Sequence, residues 1–100
     1  MAETIVRLSG KGQYIAIDDQ GRLIVEWYDF GDDAPYESAN MLIFNEVAQR
    51  ALVIALGCTE SLEAHGLATL LSHRFATYFE IKDFVTSHDL PVELDVDFMP

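Results

Sequence analysis

One hundred residues, half of them apolar and carrying a net charge of −11, make one domain (1–100) with a rich core. That acidic field, with no Lys/Arg cluster, excludes a nucleic-acid surface and opposes anionic membranes, and it favours a basic partner. Cys58 is the single cysteine, which excludes an intrachain disulfide scaffold.

The first elements in chain order are strands. TIVRLS is β-branched and ends at Gly10-Lys11-Gly12. QYIAID alternates, with Ile15 and Ile17 on one face and Tyr14 and Ala16 on the other. Asp18-Asp19-Gln20-Gly21 then predicts a hairpin turn. The return strand RLIVEWYDF sets Leu23, Val25 and Trp27 on one face and Ile24, Glu26 and Tyr28 on the other. A three-stranded antiparallel meander follows.

After the acidic loop, Ser38 is an expected N-cap for one helix over SANMLIFNEVAQRALVIAL, stopped by Gly57. MLIF, within it, also fits a strand. Glu46 and Arg50 are spaced as an i,i+4 pair, and the rest of the helix is apolar nearly all round. Thr59 is an expected cap for a second helix starting TESLEAHG, with Gly66 a point where it breaks. Leu67, Leu71, Arg74, Tyr78, Ile81, Val85 and His88 then recur at spacings of four and three. One long helix fits that pattern, and so do two meeting near Thr77. Beyond Pro91, VELDVDF alternates: Val92, Leu94, Val96 and Phe98 are expected inward, Glu93, Asp95 and Asp97 outward.

These elements predict an α+β fold. The N-terminal meander and the C-terminal strand form an antiparallel sheet, with two to three helices packed on one face. The second sheet face and the buried-looking helix are apolar enough to predict a homodimer.

The charge is concentrated at the two ends. Residues 1–37 carry eight acids against three bases, 80–100 carry six against one, and 38–79 are nearly neutral with three against two. DFGDDAPYE is the densest acidic stretch. Its Asp29, Phe30, Asp32, Asp33, Tyr36 and Glu37, with the outward row Glu93, Asp95 and Asp97, are the candidate contact residues for a basic protein partner. Carboxylates beside Phe30 and Tyr36 suit a cationic, amphipathic surface. A calcium loop of the EF-hand type is excluded, because Ala34 and Asn40 stand where it requires glycine and glutamate. A different cation site on Asp29, Asp32, Asp33 and Glu37 and a plainly solvated loop are the competing readings.

No metal or cofactor is expected. His65, His73 and His88 are too scattered to share an ion, and surface positions suit them. Cys58 has no histidine–acid pair spaced to activate it and reads as a small apolar residue. No GxSxG, HExxH, GxGxxG or GxxxxGK[ST] pattern occurs. The leading expectation is a non-enzymatic, protein-binding module, in the manner of a small inhibitor, immunity or antitoxin protein, or an adaptor. The alternative is a small-molecule or enzymatic domain with Asp29 or Glu26 as base beside Trp27, Tyr28 and Tyr36 in an apolar pocket. MAETIVRLSG lacks a basic segment ahead of an apolar run, and ALVIALGC is too short to span a bilayer. The expected location is cytoplasmic.

Overall fold

The computed structural model describes residues 3–31, 37–58 and 62–99. Its elements are β1 (Glu3–Arg7), β2 (Gln13–Ile17), β3 (Leu23–Asp29), β4 (Glu37–Phe44), α1 (Glu46–Ala55), α2 (Ala64–Arg74), α3 (Tyr78–Ser87) and β5 (Glu93–Met99). The five strands form one open antiparallel sheet in the order β1-β2-β3-β4-β5. The α+β class and the antiparallel meander are as the sequence predicts.

The first departure is β4. The expected helix from Ser38 is instead a strand, 37–44, followed by a shorter helix. Its N-cap is Asn45, whose side chain accepts the Ala48 N–H at 2.9 Å. The physical reason lies in burial. β4 sits between β3 and β5, and Ala39, Leu42, Ile43 and Phe44 are buried on both of its faces. A strand covered on both faces loses the polar alternation that marks a strand in sequence. Gly57 does stop α1: Gly57 N–H reaches the Ile54 carbonyl and Cys58 N–H the Val53 carbonyl. With Gly57 at φ 75°, this is a Schellman closure.

The second departure concerns α2, which begins at Ala64 and runs on through Gly66 without a break. The expected cap Thr59 lies outside the described residues. The 67–88 pattern resolves into two helices with Thr77 between them. Its hydroxyl accepts the Glu80 N–H at 3.2 Å and caps α3.

Strand register divides the sheet into two faces. Ile15, Val25 and Leu42 stand in one cross-strand row and Leu23 and Phe44 in another, all five fully buried. On this face lie Ala48 and Leu52 of α1, Leu67, Ala68 and Leu71 of α2, and Tyr78, Ile81 and Val85 of α3. Fully burying each leucine, isoleucine, valine or phenylalanine among these contributes about 1.5–3 kcal/mol. Trp27 lies on the same face, as predicted, but is only partly buried. Its ring meets Phe79 edge-on at 4.6 Å and Tyr78 at 6.0 Å. The buried Gln13 side chain accepts the first α3 amide, from Tyr78, at 2.7 Å and ties that helix to β2.

Candidate functional site

The three helices leave the opposite sheet face without a described helical cover, and most of the candidate acids stand there. Register gives its rows directly. Ala16, Ile24, Ile43 and Glu93 form one, Tyr14, Glu26, Met41 and Asp95 the next, and Tyr28, Ala39 and Asp97 a third. Glu37 shares this face by strand alternation from Ala39, and Phe30, just past β3, packs on it against Tyr28. Ala16, Ile24, Ala39 and Ile43 in mid-face are nevertheless buried. The accessible parts are the acidic and aromatic side chains around them.

The geometry brings together Phe30, Glu37, Glu93, Asp95 and Asp97, which are far apart in the chain. Glu26 joins them, so this face carries five described carboxylates, with Arg7 the base beside the Tyr14 row. Strands about 4.8 Å apart and i,i+2 neighbours about 7 Å apart set these charges roughly a Debye length or less from their neighbours in physiological salt. They therefore act on an approaching partner as one field.

Asp29 does not share the face. It pairs with Ser38 on the helix side, and its carboxylate closes a local turn by accepting the Gly31 N–H at 3.0 Å. Asp29 and Glu37 thus point to opposite sides of the sheet, which opposes their joint use as cation ligands. Asp32, Asp33 and Tyr36 lie outside the described residues. Among the described residues, no three His, Cys, Asp or Glu side chains come together as a metal-ion shell.

One corner of the face is organised by hydrogen bonds. The Tyr14 hydroxyl donates to Glu26 and the Tyr28 hydroxyl to Glu37. Burial, the hydrogen bond to Glu26 and that carboxylate's charge push the Tyr14 phenol up to about 12. The bond to Glu37, with slight desolvation and the nearby charges, raises the Tyr28 phenol too. Phe30, 43% exposed, meets Tyr28 at 4.9 Å, and the Lys11 ammonium sits 4.6 Å from the Phe30 ring centroid. Together with Arg7, Gly12, Phe30 and these tyrosines, Glu26 and Glu37 line a depression that opens to solvent.

The aromatic pocket expected for an enzymatic carboxylate does not assemble from Trp27 and Tyr28. These are adjacent strand residues on opposite faces, so Tyr28 shares the face of Glu26 and Trp27 that of Asp29, while Tyr36 lies outside the described residues. His65 and His73 are exposed on α2, and His88 ends α3 with its ring nitrogen 2.9 Å from the Phe84 carbonyl. Cys58 packs partly buried against the core. The rows themselves were beyond sequence reasoning, because they depend on the β4–β5 register. The alternation of Glu93, Asp95 and Asp97, and that of Tyr14, Ala16, Ile24, Glu26 and Tyr28 in the meander, were the visible signals. No helix among the described residues is long and apolar enough to cross a membrane.

Comparison with known proteins returns no match: no family model fits the chain, and no curated protein or solved structure matches it.

Proposed function

We propose that this chain is a cytoplasmic, non-enzymatic binding module that engages a basic protein through the helix-free sheet face. It acts in the manner of a small inhibitor, an immunity or antitoxin protein, or an adaptor, and it works as a homodimer. The observation that carries the reading is the convergence of Glu26, Glu37, Glu93, Asp95 and Asp97 on one face, beside Phe30 and the tyrosines. An open acidic face with an aromatic corner suits a broad cationic surface better than a small substrate, which needs enclosure. Glu26 accepts the Tyr14 hydroxyl and adds its charge to the face.

The test compares the tagged parent with a Glu37→Gln, Asp95→Asn, Asp97→Asn variant in affinity purification from the native cell. A basic protein that co-elutes with the parent should be reduced about tenfold with the variant, and association of the purified pair should slow as salt is raised. Equal recovery by both chains, or association insensitive to salt, would overturn the reading.

A further inference from the structure

We infer that the outer edge of β5 receives an extended segment of the partner as a sixth strand, one whose residues alternate cationic and apolar. This rests on the acidic-face reading and deepens it by stating the conformation and pattern of what binds.

Position in the sheet is the first ground. β5 is terminal in the strand order, and among the described residues no strand pairs with its outer edge. Alternate residues of such an edge turn backbone N–H and C=O groups outward, ready to template another strand.

Exposure is the second. Leu94 and Val96 pair with Leu42 and Asn40, which places them on the helix-bearing face, yet they are 61% and 46% exposed. Sequence alternation places them correctly on the inward side, and the expected burial is what fails. The strongest helix–sheet packing lies over β1 to β4, and Leu94 and Val96 are left largely outside it. A shallow groove leads from α3 to the uncovered row; Leu42, Val85, Leu90, Val92 and Leu94 form its apolar part, which an added strand meets with apolar side chains, and Lys82, Thr86 and Asp89 its polar part.

Charge is the third. Glu93, Asp95 and Asp97 occupy the other face of the same strand. An added strand sets its side chains about 4.5–5.5 Å from those of β5. One with Lys or Arg at alternate positions and Val, Ile or Leu between them matches both faces at once.

The same pairing rule disfavours a second copy at this edge. An antiparallel β5–β5 pair that keeps apolar rows together sets carboxylates opposite carboxylates, and like charges directly across a pair are destabilising. Slipping the register by one residue turns the acidic row of each strand against Leu94 and Val96 of the other.

The experiment uses the intact chain and short capped peptides of three kinds, alternating Lys–Val, Lys–Pro and Glu–Val. Binding is read by fluorescence anisotropy and its position by backbone amide exchange. Lys–Val should bind about tenfold or more tighter than the other two and slow exchange in β5. Lys–Pro carries the same charge but lacks the alternate N–H donors a strand needs. Leu94→Ser with Val96→Ser should weaken Lys–Val about tenfold. Asp95→Asn with Asp97→Asn should do so at low salt and less at high salt. If Lys–Pro equals Lys–Val, edge pairing is overturned while the acidic-face reading stands. If Glu–Val equals Lys–Val, charge selection fails and takes the acidic-face reading with it. Absence of Lys–Val binding, protection outside β5, or β5 protection that grows with protein concentration alone would each overturn the inference.

Discussion

At the scale of single residues, Gly12 is a position where a neighbouring backbone atom leaves no room for a side chain. Its φ is 71°, its carbonyl accepts the Tyr28 N–H at 2.8 Å, and a Cβ there would lie 2.6 Å from the Tyr28 carbonyl oxygen. Gly12→Ala combines a left-handed backbone penalty of about 1–2 kcal/mol with displacement of the Tyr28–Phe30 corner. We expect a loss of about 2 kcal/mol or more in urea unfolding. Gly57→Ala, with similar φ but nothing within 4 Å of the added carbon, should show the backbone penalty alone. Equal losses at the two sites would mean the corner is looser than described. Tyr14 offers a test by titration. Its folded phenol sits at about 12 against an ordinary value near 10. The stabilisation from this group is therefore complete below pH 10 and fades as pH rises toward 12. In a tyrosinate absorbance titration, Tyr14→Phe should remove a phenol that titrates well above the ordinary range, and an unchanged upper limb would contradict the burial of Tyr14 together with its bond to Glu26.

At the scale of elements, the end of α3 is closed by a Schellman arrangement built on a residue poorly suited to it. Asp89 N–H reaches the Thr86 carbonyl and Leu90 N–H the Val85 carbonyl, with Asp89 at φ 50°. Glycine is the usual occupant, and a carboxylate here also faces the negative end of the helix dipole. Asp89→Gly should stabilise the protein by about 1 kcal/mol, seen as a rise in thermal midpoint of roughly 4–8 °C. Asp89→Asn separates the causes, since it removes the charge and keeps a side chain. A fall in midpoint for both would show that Asp89 has a contact that outweighs the strain. The stop at Gly57 was legible from sequence because local chemistry decided it, whereas the spacing over 67–88 fitted one helix as well as two and left the break at Thr77 open. β4 was not legible, because ESANMLIF has helix formers, no glycine or proline, and no alternation once both faces are buried. The β5 alternation was plain, but its lack of cover depends on where the helical layer ends. Likewise, the shared face of Glu37 and Asp97 needs a strand register between segments distant in the chain, which no local pattern encodes.

At the scale of the whole molecule, the apolar middle of the chain was the motive for a homodimer, and much of it is accounted for within one copy. Leu42, Phe44, Leu52, Leu67 and Leu71 are fully buried in the core. The apolar surplus that remains on the helical side lies on α1, where Val47 is 60% and Ile54 78% exposed, on Phe79 of α3, and on Leu94 and Val96 of β5, the edge assigned above to a partner strand. A stable dimer needs about 800 Å² per partner, so α1 and its neighbours would have to be buried together. Opposing that is self-repulsion from a net charge of −11, which salt screens. The dimer should therefore tighten with ionic strength, the opposite of the acidic face binding a basic partner. Light scattering at micromolar concentration in physiological salt should give about twice the 11.2 kDa chain mass, and Val47→Glu with Ile54→Glu should return it to one chain. A parent that is monomeric across the salt range would remove the dimer from the proposal and leave the binding face untouched. A double variant that stays dimeric would move the contact off α1.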